Sequence, residues 1–243
     1  MVKRDRADRL LVARGVFESR ARAQAAIAAG QVTADGSLVR KPSDQISSAA
    51  VIAADPAHPY VSRGGVKLAA ALESFSLDVA GRVCLDVGSS TGGFTEVLLA
   101  RGARHVYAVD VGRRQLHARL LNCEQVTSIE QTDIRNLGPS LLPEPPDLAT
   151  IDVSFISLKR VLPHVSGLLK PSATLLALIK PQFEAGRRHV KKGIVRDAAV
   201  QVAVCDDIAR FLTDLDWRVG DPIPSPIFGG DGNREFFIEA RRG

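Results

Sequence analysis

A chain of 243 residues with 45% hydrophobic and 24% charged side chains is long enough for two domains and too apolar to remain disordered. Its net charge of +5 is unevenly spread, since the first 63 residues hold ten Lys/Arg against six acids and the rest hold 22 against 21. A basic first quarter suits an anionic polymer, while the lack of an apolar signal core or of any run near the ~18 apolar residues of a membrane span argues against export or membrane insertion. Cys84, Cys123 and Cys205 are scattered, with neither metal-ligand spacing nor a disulfide framework. The chain therefore reads as cytoplasmic, with no metal site expected.

In chain order, residues 5–14 and 20–29 are predicted as two short helices. Leu10, Leu11 and Val12 give the first its apolar positions; Ser19 is placed to cap the Ala-rich second, and Gly30 to end it. Gln31-Val32-Thr33 and Ser37-Leu38-Val39 flank Ala34-Asp35-Gly36, a hairpin signal. Asp55-Pro56-Ala57-His58-Pro59 holds two prolines and reads as a linker. The expected division is a small α+β domain over 1–54, a linker over 55–62 and a large domain over 63–243. From about residue 81, apolar strands at 82–87, 105–110, 125–129, 147–153, 173–180, 217–223 and 234–240 alternate with helical stretches. That alternation predicts an α/β, Rossmann-like fold with a mostly parallel seven-stranded sheet.

The most distinctive segment, Cys84-Leu85-Asp86-Val87-Gly88-Ser89-Ser90-Thr91-Gly92-Gly93-Phe94, follows the first of these strands and opens a helix over Thr95–Ala100. Glycines there let the backbone turn sharply near a ligand. The loop lacks the G-x-G-x-x-G of dinucleotide folds, and Asp86 precedes the first glycine by two residues. An acid at that point suits an ammonium or sulfonium better than a pyrophosphate. Asp110 ends the next strand, placed for ribose hydroxyls, and Asp133 follows the third, placed for an adenine amino group. Three acids after three strands fit S-adenosylmethionine. Gly88, Ser90, Thr91, Gly92, Gly93 and Phe94 join Asp86, Asp110 and Asp133 as the candidate cofactor-binding set. Any one of these acids could equally be a turn or cap residue.

Two further strand ends bring charge to the same edge, Asp152-Val153-Ser154-Phe155-Ile156-Ser157-Leu158 and Lys180-Pro181-Gln182-Phe183-Glu184. Together with Tyr60-Val61-Ser62-Arg63-Gly64-Gly65-Val66-Lys67-Leu68 and Gly232-Asn233-Arg234-Glu235-Phe236-Phe237, they resemble the TlyA family of rRNA 2′-O-methyltransferases, long called hemolysin A. The resemblance runs from Arg9 to Glu239. It implies an S4-like RNA-binding domain before an FtsJ-like methyltransferase domain, a catalytic tetrad of Lys67, Asp152, Lys180 and Glu235, and cytidine targets in ribosomal RNA of either subunit. Departures lie at Arg113-Arg114, where the family more often has Tyr-Gly, and at Phe228-Gly229-Gly230-Asp231, which replaces the commoner Leu-Pro-Gly-Pro.

A ribose 2′-hydroxyl must lose its proton as it attacks a methyl group in line, and the tetrad implies Lys180 as the base. Asp152 and Glu235 would orient the two lysines. The S4-like resemblance makes Arg4, Arg6, Arg20 and Arg22 candidate phosphate contacts, with ribosomal RNA and ribosomal subunits as partners and neither a membrane nor a protein partner read from the sequence. Two other readings compete. A membrane-lysing toxin would need an amphipathic or spanning segment that is not seen, and a non-catalytic binding module would not need four intact tetrad positions.

Overall fold

A computed structural model describes residues 4–17, 19–28, 30–54 and 60–243. By contact the chain divides into two compact units, Met1–Pro59 and Tyr60–Gly243. The expected linker stretch 55–59 lies outside the described residues, and 60–62, expected as part of it, belong to the second unit.

In the first unit a strand, β1 (Arg4–Arg6), precedes α1 (Ala7–Ala13) where a single helix from residue 5 was expected. The difference is tertiary: β1 pairs antiparallel with β4 (Gln45–Ser47), and the first amides of α1 bond to the carbonyls of Asp44 and Pro42. Helix α2 (Arg20–Ala28) starts with the Arg22 amide on Ser19 Oγ, and Gly30, at φ +69°, closes its end. The hairpin forms as β2 (Val32–Ala34) and β3 (Ser37–Leu38), turned by Asp35 and Gly36 at φ +50° and +76°, both values a type I′ turn requires. The strand β5 (Ile52–Ala54), not anticipated, completes this sheet on the other side of β2. Leu11, Ile27, Val32 and Ile46 fill the core of the unit.

The second unit opens with α3 (Arg63–Ser74), then β6 (Val83–Val87), α4 (Gly93–Ala100), β7 (His105–Val109), a single turn α5 (Ala118–Leu121) and β8 (Val126–Ile129). After these come β9 (Leu148–Ile151), α6 (Leu162–Leu168), β10 (Thr174–Ile179), the short α7 (Pro181–Glu184) and α8 (Ala198–Thr213). The chain ends with β11 (Arg218–Val219), β12 (Ile223–Pro224) and β13 (Phe236–Arg241). The sheet order is β11-β13-β10-β9-β6-β7-β8, parallel from β10 to β8, with β13 antiparallel to both β10 and β11. The single strand expected at 217–223 is two short pieces, both on β13, because Pro222 has no amide to give a continuous ladder.

β6, β9 and β10 are buried on both faces, which is why they read as unbroken apolar runs. Val83, Leu85 and Val87 pack toward α6 and α8, and Cys84 packs with α3 and α4. β6 has β7 on one side and β9 on the other, so strand order reverses there. A crevice outside the carboxyl ends of strands at such a switch point is where α/β sheets place ligands.

Candidate active site

Ladder register brings the tetrad together. β10 and β13 pair Ile179 with Phe236, so Lys180, just past β10, faces Glu235, just before β13. β6 and β9 pair Val87 with Ile151, which puts Gly88 level with Asp152. Lys67 arrives from α3, and glycines let that helix approach. A Cβ at Gly93 would lie 2.1 Å from Ser62 Oγ and 2.9 Å from the Gly65 amide, and one at Gly65 would strike the Tyr60 ring at 2.3 Å. The Gly64-Gly65 pair is thus the means by which α3 seats on α4 and delivers Lys67 to the sheet edge.

The four side chains form two ion pairs. Lys67 Nζ donates to Glu235 Oε2 at 2.6 Å, and both are buried. Lys180 Nζ lies 2.6 Å from Asp152 Oδ1 but directs its hydrogen bond to Ser154 Oγ at 2.8 Å. Asp152 Oδ1 and Gln182 Oε1 are both buried with no aligned donor among the described residues. The Lys180 ammonium compensates Asp152 Oδ1 through charge, whereas Gln182 Oε1 has no donor among the described residues.

Beside the second pair opens a cavity of about 490 Å³ lined by Gly88, Ser90, Asp110, Asp133, Asp152 and Phe155, among others. Asp110 accepts from the amides of Ser90 and Gly112, each at 2.7 Å, one on each carboxylate oxygen, which leaves lone pairs facing the cavity. Gly88 sits at φ +83°, and a Cβ there would be 2.4 Å from the Asp152 carbonyl oxygen.

Several expected cofactor residues lie elsewhere. Asp86 is fully buried behind the loop, accepting from Thr95 Oγ1 at 2.6 Å and Thr150 Oγ1 at 3.1 Å. It ties β6 to α4 and β9 and does not line the cavity. Burial raises its carboxyl to about 7, against the pull of the two hydroxyls. Thr91, Gly92, Gly93 and Phe94 shape the loop from behind: Gly92 is the left-handed cap of α4, and Phe94 stacks on Phe237. α4 accordingly begins at Gly93, two residues before the expected start. Asp133 does reach the cavity, but the Arg135 guanidinium grips both its oxygens and holds it down at about 2.

Residues the sequence did not single out complete the wall. Phe155, at φ +64° and 91% exposed, rests on Phe183 with ring centroids 5.1 Å apart. Glu184 fixes that loop by accepting from Ser157 Oγ at 2.6 Å and the Leu158 amide at 2.7 Å; burial pushes its carboxyl up. An exposed aromatic held at a positive φ was the available signal, and it becomes visible only once the turn is formed.

The profile described as FtsJ-like methyltransferase matches residues 60–242, and that of the S4 domain matches 5–52. The 16S/23S rRNA (cytidine-2′-O)-methyltransferase TlyA of Mycobacterium tuberculosis is 43% identical over 99% of this chain and 91% of its own length. The chain belongs to the TlyA family. Hemolysin A of Brachyspira hyodysenteriae is 37% identical over 95% of this chain and 97% of its own. A solved Streptococcus thermophilus protein carrying a hemolysin label is 39% identical, with a TM-score of 0.79 over all of this chain and 90% of that one.

The catalytic unit of this TlyA-family chain has the fold of S-adenosylmethionine-dependent methyltransferases. The residues present fit that cofactor: Gly88, Ser90 and Asp110 line the cavity, and both carboxylate oxygens of Asp110 keep lone pairs beyond the amides of Ser90 and Gly112. In the S4 unit, Arg4 donates to the Gln45 carbonyl, while Arg6 and Arg20 both grip the buried carboxylate of Asp8 at 3.0 and 2.7 Å, with Gln24 as a third donor residue. Arg22 is exposed on the same helix as Arg20. Asp8, passed over in the sequence, thus orders two of the four expected RNA-contacting arginines. Among the described residues no His/Cys/Asp/Glu group could hold a metal, and no helix is long and apolar enough to cross a membrane.

Proposed function

We propose that this chain methylates the 2′-oxygen of a cytidine ribose in ribosomal RNA, with S-adenosylmethionine as methyl donor, acting on assembled ribosomal subunits. The observation that carries the reading is the pair of ion pairs, Lys67–Glu235 and Lys180–Asp152, set on one sheet edge beside the cavity. The cofactor supplies a methyl group on a sulfonium, an electrophile that needs no metal activation. Gly88, Ser90 and Asp110 would hold it, with Asp133 and Arg135 lining the same cavity. Lys180, positioned by Asp152 and Ser154, would act as its neutral amine, having released a proton to solvent: it would take the proton of the hydroxyl as the oxygen bonds to the methyl carbon, while the methyl–sulfur bond breaks and the sulfur leaves as a neutral thioether. Lys67 and Glu235 set the electrostatics around it, and the rest of the rate comes from aligning hydroxyl and methyl. The open face of Phe155 offers a surface on which an unstacked base can rest. Arg4, Arg6, Arg20 and Arg22 contact phosphates and position the RNA without reading its sequence.

The test is transfer of labelled methyl into purified small and large ribosomal subunits by the native chain and by Lys180→Ala. Incorporation that disappears in the variant, with cofactor affinity kept, supports the reading. Retained turnover removes Lys180 as the base.

A further inference from the structure

Beyond the tetrad lies a second cavity, of about 370 Å³, lined by Ile194, Val195, Arg196, Gln201, Phe228 and Arg234. The segment leading into it, Arg187 to Arg196, holds five Lys/Arg and no acid, and all five cations are exposed. Arg187, Lys191, Lys192, Arg196 and Arg234 have no ion pair among the described residues. The acids close to it in sequence are Glu184, which is held by Ser157 and Leu158, Asp197, which accepts from the Ala199 amide at the start of α8, the exposed Asp231, and Glu235, which is paired with Lys67. Exposed cations clustered this way set up a positive local field that draws anions.

This segment is also firmly built. Lys191 and Ile194 exchange backbone hydrogen bonds across a tight turn in which Lys192 and Gly193 have φ +51° and +80°. Asn233, 1% exposed, accepts from the Val195 amide at 3.0 Å and donates to the Gly193 carbonyl at 2.8 Å. Gln201 of α8 donates to the Val195 carbonyl at 2.8 Å. Asn233 thereby locks the basic turn to the strip that bears Glu235 two residues later.

The cavity adjoins the catalytic centre. Arg234 directly precedes Glu235, and a Cβ at Gly229, beside Phe228, would lie 2.5 Å from Glu235 Oε1. Arg63, at the head of the helix carrying Lys67, donates to the Phe228 carbonyl at 2.9 Å.

We propose that this cavity and the Lys191-Lys192 turn bind the phosphodiester backbone of the RNA next to the target nucleotide. The inference rests on the RNA methyltransferase reading and adds a docking site within the catalytic unit. Guanidinium groups suit phosphate oxygens because they donate two parallel hydrogen bonds, and a rigid turn spends little entropy in doing so. A phosphate held by Arg196 and Arg234 constrains the adjoining ribose beside Lys180 and Glu235.

The experiment is filter binding of protein-free ribosomal RNA to the full chain across a salt series, for Arg196→Gln, Arg196→Lys and Lys191→Gln/Lys192→Gln. Cofactor affinity serves as the check on folding. Arg196→Gln is expected to weaken binding about tenfold and to flatten the log–log salt slope by about 0.7 for each phosphate it no longer neutralises. Arg196→Lys should restore most of the slope, which a merely structural arginine would not allow. Unchanged affinity and slope in both neutralised variants overturn the proposal. So does a loss confined to intact subunits, which would point to a ribosomal protein on this face. If the native chain transfers no methyl to any RNA, the function reading falls, while the salt slope still judges the cavity.

Discussion

Lys67 Nζ and Glu235 Oε2 meet at 2.6 Å across 168 residues of chain, and both are buried. Neither charge is tolerable alone there. Glu235→Ala is expected to cost about 3–5 kcal/mol of stability, since it strands the Lys67 ammonium. The double change Lys67→Met with Glu235→Gln should regain most of that in urea unfolding while methyl transfer stays lost. A double variant as unstable as the single one would show that the pair is not what stabilises the strip.

Gly88 is the second lever. Alanine there meets a positive φ and a carbonyl oxygen of Asp152 2.4 Å away. Gly81 offers a matched control, with φ +72° and nothing within 4 Å of its Cβ position. Both alanine variants should lose about 1–3 kcal/mol to backbone strain. Only Gly88→Ala should also abolish methyl transfer, because only there is the Lys180 partner displaced. Equal activities in the two variants would refute this.

Asp86 and Asp110 should separate cleanly. Asp110→Ala is expected to weaken cofactor binding about 10-fold or more in calorimetry, as befits the loss of charged acceptors. Asp86→Asn should change it far less, because Thr95 and Thr150 already occupy the carboxylate. Its effect lies in pH dependence. With a folded value of about 7 against an ordinary 3.8, Asp86 keeps its proton in the folded chain after the unfolded chain has released it. Stability from this group is therefore full below pH ~4, declines as pH rises, and is gone above pH ~7. Urea unfolding of Asp86→Asn across that window should lack this decline.

Asp8 has the opposite sign. The guanidinium of Arg6, then that of Arg20 and the amide of Gln24, hold its carboxyl well below the usual carboxylate range. Its contribution is present above pH ~4 and is lost as acid protonates it. Asp8→Asn should lower the urea midpoint of the S4 unit at pH 7, and the difference from the native chain should shrink toward pH 2. Weakened binding of ribosomal RNA by the same variant would show that the carboxylate positions Arg6 and Arg20 for phosphate.

The alternation of strands was readable because β6, β9 and β10 are apolar on both faces, and the turn at Asp35-Gly36 because its chemistry is local. β1 escaped notice, since Arg4-Asp5-Arg6 has no strand pattern of its own and takes its conformation from β4. The tetrad was visible as motifs, whereas its pairing of Lys67 with Glu235 and Lys180 with Asp152 depends on ladder register. Asp86 and Asp133 looked alike in the sequence, as acids after strands. One is a buried strut and the other is held by Arg135, a difference decided by neighbours distant or flexible enough to leave no trace in spacing. The sequence does not single out Phe155 within residues 152–158, because its exposure follows from a positive φ that turns it outward.

Methyl transfer to a ribose oxygen leaves a product distinct from any base methylation. Ribosomal RNA from subunits incubated with the chain and S-adenosylmethionine should be digested to nucleosides and separated by mass spectrometry. 2′-O-methylcytidine is expected with the native chain and should be absent when Lys180→Ala replaces it. Methyl groups found on a base would rule out ribose methylation, and 2′-O-methylcytidine formed equally by the variant would remove Lys180 as the base.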